Sequence, residues 1–197
     1  MVSKRSNPDD RRRALIEATV RVLAARGAAG ASVRTIAAAA DVSPGLVTHH
    51  FGGVDRLVAA SYDHVAAQVA VALEAAVEAA GDAPRARLGA YVAANFAAPI
   101  ADPALLATWL ALWSLARGDA TMLARHEQHY AAFRARLEQL LADCGLPATR
   151  VRLAAIGITA LVDGLWLELC LSPGSFTADE ARALAAAYLD RSVNSDS

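Results

Sequence analysis

Residues 32–51, SVRTIAAAADVSPGLVTHHF, constrain the fold more than any other stretch of the chain. Two short apolar runs of helical spacing meet there at one sharp break. Ser32 is a good helix N-cap, and Val33, Ile36, Ala37 and Ala40 recur at intervals that line one helix face. The run stops at Asp41–Val42. Aspartate tolerates the left-handed backbone of a tight turn better than most side chains do. Ser43 is placed to cap a second helix, and Pro44 fits its first turn, where a missing N–H costs nothing. In that helix Leu46, Val47 and Phe51 point inward, which leaves Gly45, Thr48, His49 and His50 for a partner. The pattern predicts a helix-turn-helix, whose second helix is shaped to enter the major groove of duplex DNA.

The rest of the chain reads as helix too. Its residues are 55% hydrophobic and rich in Ala, Leu and Arg, all good helix formers, and no strand alternation interrupts them. A first helix over 10–26 carries Leu15, Thr19, Val22 and Leu23 on one face and ends at Gly27, so it can brace the hairpin from behind. Residues 1–9 read as a disordered arm. Lys4, Arg5, Arg11, Arg12 and Arg13 are candidates for phosphate or minor-groove contact. After Gly52–Gly53 a long helix over 54–80 shows one continuous stripe of Val58, Tyr62, Val65, Val69 and Leu73. About 25 helical residues reach roughly 38 Å, enough to join a DNA-binding head to a second body. Further helices are expected over 85–98, 103–117, 120–143, 148–171 and 178–191, the last opened by a Thr177/Glu180 capping box, with a disordered tail over 192–197. The expectation is an all-α protein of about nine helices, with a DNA-binding domain over 1–56 and a helical body over 57–197.

Net charge is only −1, but it is unevenly placed. Residues 1–56 hold 9 basic against 5 acidic side chains, and residues 57–197 hold 10 against 15. A basic head on an acidic body can dock on phosphate through one end. Cys144 and Cys170 stand far apart, without CxxC spacing, which fits a reducing compartment and argues against a disulfide framework or structural zinc. No signal-peptide pattern opens the chain, and uncharged stretches such as 103–116 span 14 residues where a membrane crossing needs about 20. These features point to the cytoplasm. No nucleophile motif, phosphate loop or dinucleotide fingerprint supports an enzyme, and no cofactor is implied. His126 and His129 are a possible metal pair three residues apart, but no third ligand has matching spacing.

The segment LAAIGITALVDGLWLELCL, 153–171, is nearly all apolar and is expected to be buried on most sides. One face reads Leu153, Gly157, Ala160, Gly164 and Leu171, and its small residues let another helix approach closely. A second reads Ile156, Thr159, Asp163, Trp166 and Cys170. Asp163 in that setting needs a partner, either an arginine or helix end within the protein, or a ligand. Trp109 and Trp113 lie side by side on their helix. With Trp166, Tyr91, Phe96, Asn95, Thr159 and Asp163 they are candidates for an aromatic cage around a cation, each contact contributing about 0.5–2 kcal/mol. An aromatic pair at that spacing is more often core than cofactor box.

The run Thr35–Ile36–Ala37, Asp41–Val42–Ser43, Gly45, His50–Phe51 and Leu57 resembles the DNA-binding signature of the tetracycline-repressor (TetR) family. The resemblance implies a homodimer that binds a palindromic DNA operator and is controlled by a small-molecule effector. Three positions depart from the family pattern. Asp41 replaces a usual Gly, Thr48 a phosphate-contacting Tyr, and Val54 a helix-opening Lys. Arg34, Thr35, Thr48 and Arg56 are then expected to take up phosphate contact, while Ser43, Pro44 and His50 complete the candidate DNA-binding surface. The face through Gly157, Ala160, Gly164 and Leu171 resembles the family's dimer seam. WLALW at 109–113, LVDGLWL at 161–167 and GLVTHHF at 45–51 are similar to the choline-responsive branch of the family, which implies a quaternary amine as effector. The alternative is a ligand-binding or scaffolding protein that has lost operator binding.

Overall fold

The computed structural model describes residues 7–194, so Lys4 and Arg5 lie outside the described residues. Among these, the chain forms nine α-helices and one 3₁₀ turn. In order they are α1 (Pro8–Arg26), the turn Ala28–Gly30, α2 (Val33–Ala39), α3 (Pro44–Phe51), α4 (Val54–Ala79), α5 (Pro84–Ala94), α6 (Pro103–Ala116), α7 (Ala120–Asp143), α8 (Ala148–Leu171) and α9 (Ala178–Asn194). The all-α expectation holds. α1 opens two residues before the expected Asp10, because Asn7 Oδ1 accepts from the Asp9 N–H at 3.3 Å and Pro8 takes the first turn.

The chain divides into two compact units. The first takes the chain up to Ala66 together with Ala107–His126. Leu15, Ala18 and Val22 of α1 meet Ile36 and Ala37 of α2, Val47 and Phe51 of α3, and Leu57 of α4 in one core. Fully burying an aliphatic side chain of this kind contributes about 1.5–3 kcal/mol, enough to hold helices too short to be stable alone. Further along α4, Tyr62 is fully buried, edge-on to Trp109 at 5.2 Å between ring centroids. Its hydroxyl lies 3.1 Å from His126 Nδ1, which gives that histidine a packing role. Asp63 pairs with Arg125, and Thr108 Oγ1 donates to Val20 O at 3.4 Å. These contacts tie 107–126 into the first unit.

The second unit holds Ala67–Leu106 and the described chain from Glu127 onward. α9 packs on both α5 and α8 through Ala181, Ala185 and Leu189. Arg136 of α7 grips Glu74 of α4 with two parallel bonds of 2.7 and 2.9 Å. The Thr177/Glu180 box forms as expected, with Thr177 N–H donating to Glu180 Oε2 at 2.7 Å and Glu180 N–H to Thr177 Oγ1 at 3.2 Å.

Three expectations are corrected here. The helix expected over 85–98 ends at Ala94. Asn95 Nδ2 folds back onto Tyr91 O and Val92 O at 2.9 and 3.3 Å, and the chain tightens through Phe96 N–H to Ala93 O before Pro99. The tail starts later than expected, since α9 continues to Asn194. There Ser192 Oγ donates to Tyr188 O at 2.9 Å and Arg150 Nη2 to Ser192 O at 3.0 Å, while residues 195–197 lie outside the described residues. Finally, α8 is not covered on most sides. It is long and apolar enough to cross a membrane by length and composition, which the stretch at 103–116 is not, yet 28% of its most apolar window is buried within the chain. Leu153, Ile156, Leu167 and Leu171 stand exposed on it, with Leu184 on α9.

Candidate nucleic-acid interface

The turn between α2 and α3 is built from local chemistry. Asp41 adopts φ 54°, the left-handed conformation expected of it, and the Val42 N–H reaches back to Ala37 O at 3.0 Å. At the start of α2, Ser32 Oγ accepts from Thr35 N–H at 3.2 Å. Thr35 Oγ1 donates to Gly30 O at 2.9 Å and bonds Ser32 Oγ as well, so this candidate contact is committed to the cap. Ser43 stands at the N-cap of α3 with extended backbone, but its hydroxyl makes no capping bond, contrary to expectation. The side chain is exposed.

α3 has two clearly different sides. Val47 and Phe51 are buried in the core, with Leu46 half-buried beside them. Ser43, Pro44, Gly45, Thr48 and His49 form a continuous exposed surface. A Cβ at Gly45 would touch nothing, so the helix start is open to close approach. His50 is half-buried, its ring edge-on to His49 with centroids 5.0 Å apart. Arg34 and Arg56 are exposed, as are Arg11 and Arg13. Arg12 is exposed as well, with its guanidinium laid over Phe51 at 4.3 Å from the ring centroid.

Residues 15–61 match the model of the bacterial regulatory proteins of the tetR family, and 84–194 match that of the BetI-type transcriptional repressor C-terminal domain. This chain belongs to the TetR family. It is a DNA-binding transcriptional regulator of the BetI type, not an enzyme. The HTH-type transcriptional regulator BetI of Burkholderia thailandensis is 40% identical over 182 residues, covering 91% of this chain and 92% of that protein. A solved structure from Pseudomonas aeruginosa PAO1 superposes with a TM-score of 0.85 at 39% identity, covering 94% and 91% of the two chains. A Saccharomonospora viridis protein solved in complex with choline shares the fold at a TM-score of 0.80 and 18% identity, covering 92% and 96%.

In this TetR-family regulator the candidate effector residues fall into both units. Trp109 and Trp113 belong to the first, their rings tilted at 6.1 Å, and the Trp109 indole N–H is buried without a partner among the described residues. Tyr91, Asn95, Phe96, Thr159, Asp163 and Trp166 belong to the second. Most of their polar atoms serve the fold. Trp166 Nε1 donates to Asn95 O at 2.9 Å, Thr159 Oγ1 to Ala155 O at 2.8 Å, and Tyr91 Oη to Phe133 O at 3.3 Å. Burial holds the Tyr91 phenol protonated well above its usual range, with Glu74 adding to the effect. Asp163 differs. It accepts from Tyr130 Oη at 3.0 Å, a partner the sequence spacing did not reveal. Burial raises its pKa to about 6, against the opposing pull of the Tyr130 hydrogen bond and the Arg134 charge.

The candidate seam residues also separate. Ala160, Gly164 and Leu171 are exposed, and a Cβ at Gly164 would meet nothing. Gly157 is occupied within the protomer, where a Cβ would collide with the Tyr188 hydroxyl of α9. Ile156, expected on the effector face, lies exposed.

Proposed function

We propose that this regulator is a homodimeric repressor whose α3 helices enter the major groove of a near-palindromic operator, and that a small cation of the choline class releases it. The DNA half of this reading is carried by the two-sidedness of α3, with Val47 and Phe51 buried and Ser43, Gly45, Thr48 and His49 exposed together. Two such helices about 34 Å apart would read half-sites one duplex turn apart. Thr48 and His49 then reach base edges, while Ser43, Arg34 and Arg56 bind phosphates, so affinity falls steeply with salt. Operator reading belongs to 1–56, and effector binding and pairing to 57–197, in a cytoplasmic protein.

Pairing is supported by the exposed row of Leu153, Ala160, Gly164, Leu167 and Leu171 on α8, flanked by Leu184 on α9. A row of that kind calls for cover, and a second copy of the same helices supplies it. The effector class is supported by the BetI relatives, by the choline bound to the Saccharomonospora viridis protein, and by Asp163. A carboxylate disfavoured by burial favours a cation brought beside it, and a quaternary ammonium needs no hydrogen bonds in return. To empty the operator almost completely, the ligand must bind the released state more tightly by about 5 kcal/mol.

Thr48→Ala and His49→Ala are each expected to weaken operator binding by about 5- to 100-fold, the range of a base contact, with the dimer intact. Fluorescence anisotropy on duplexes taken from the DNA flanking the gene measures this. Unchanged affinity in both variants would remove α3 as the reading helix.

A further inference from the structure

The helix-turn-helix is held by the C-terminal ends of both its helices. An α-helix leaves its last four carbonyls without partners inside the helix. In α2 these are Ile36, Ala37, Ala38 and Ala39. The backbone of the turn takes three, through Ala40 N–H to Ile36 O at 2.9 Å, Val42 N–H to Ala37 O at 3.0 Å and Asp41 N–H to Ala38 O at 3.3 Å. The fourth, Ala39 O, accepts from Arg21 Nη2 at 3.2 Å. In α3, Gly52 N–H takes Thr48 O at 2.8 Å, and His50 O accepts from Arg12 Nη1 at 3.3 Å. The same Arg12 guanidinium covers the Phe51 ring.

Both arginines come from α1. They are nine residues apart in a helix of 3.6 residues per turn, so they point about half a turn from one another. They therefore flank the buried stripe of Leu15, Ala18 and Val22 from opposite sides, one reaching α2 and the other α3. A cation at a helix C-terminus is favoured by the helix dipole, and a planar guanidinium can donate to a carbonyl while stacking on a ring. α3 is eight residues long and anchors through Val47 and Phe51, so its tilt is weakly fixed by packing alone. Contacts to base edges need placement to about half an ångström.

We infer that Arg12 and Arg21 are positioning residues for operator binding, setting the pitch of α2 and α3 against α1 rather than neutralising phosphate. The inference rests on α3 being the reading helix. Both side chains are exposed, so their removal leaves the core intact.

The test uses the full-length dimer, Arg→Gln and Arg→Lys variants at both positions, and anisotropy with operator and random duplex across a salt series. Arg12→Gln/Arg21→Gln should lose about 10- to 100-fold in operator affinity, with the ratio of operator to random-duplex binding reduced and the log–log salt slope unchanged. The lysine variants, which keep a cation able to reach the carbonyl, should recover most of the loss. Should the double variant melt early, the single Gln variants carry the same test at about three- to tenfold each. Unchanged operator affinity would overturn the inference. So would a salt slope shallower by about 0.9 per arginine, the mark of a lost phosphate contact. Weak binding by Thr48→Ala beside unaffected arginine variants defeats this inference alone, whereas unaffected Thr48→Ala and His49→Ala variants defeat the reading-helix assignment beneath it.

Discussion

Gly164→Leu is expected to turn the dimer into monomers and to reduce operator affinity by at least about 100-fold. Position 164 is exposed, and a Cβ there would meet nothing in its own protomer. The single chain therefore accepts the leucine without collision. It gains helix propensity as well, since glycine inside a helix is about 0.8–1 kcal/mol worse than alanine and leucine ranks close to alanine. In the proposed pairing of α8 helices the same four carbons enter a seam of the exposed Ala160, Gly164 and Leu171, where closeness depends on the glycine and alanine. Once the copies part, each head must find its half-site alone. The effective concentration that linked heads provide is lost, a factor of about 10² to 10⁴. Gly157→Leu makes an instructive contrast. It lies two turns earlier on α8, but there the new side chain strikes Tyr188 inside the protomer. That variant should melt early, while Gly164→Leu melts no earlier as a monomer than the parent chain diluted to the same state. Sedimentation and thermal melting separate the two. A Gly164→Leu protein that sediments as a dimer and holds operator normally would place the seam elsewhere.

What the sequence made legible, and what it did not, follows the range over which each interaction acts. The turn at Asp41, the Ser32 cap and the Thr177/Glu180 box were readable because each is settled within four residues. The apolar side of α3 was readable because Val47 and Phe51 are four apart. Ser43 carried the right residue type for a cap, yet an open helix start leaves its hydroxyl unused. Sequence pattern carries α5 to residue 98, but the Asn95 amide prefers the carbonyls behind it, and Trp166 from α8 fixes Asn95 O in place. α8 misled most. Its composition says that the helix is apolar all round, but not which parts its own chain covers. Gly157 and Gly164 share one stripe and look alike in sequence, and Tyr188 from α9 decides which of them is open. Likewise, the spacing around Asp163 predicts a need for a partner and cannot name Tyr130, 33 residues away.

Asp163 yields the second large effect, because the same burial that suits it to a cation weakens the unliganded protein. Its pKa rises from 3.8 to about 6 on folding. Between those values the native carboxyl keeps a proton that the unfolded chain has released, so stability falls as pH rises through that window. Above pH ~6 the loss is complete, and a rise of that size corresponds to about 3 kcal/mol. Asp163→Asn removes the titration and keeps an acceptor for the Tyr130 hydroxyl. At pH ~7.5 the variant should melt about 5–10 °C higher than the parent, with the gap narrowing toward pH ~4. Choline should act in the opposite sense. It should raise the melting temperature of the parent by mass action, about 2.7 kcal/mol at a hundred times its dissociation constant, and leave the variant nearly unmoved. The variant would then be the more stable protein and the one that no longer leaves its operator when the cation is added. A calorimetric pH series with and without choline tests both arms. A variant no more stable than the parent at neutral pH would deny the burial cost at Asp163, and an equal choline response in both proteins would remove that carboxylate from the effector site.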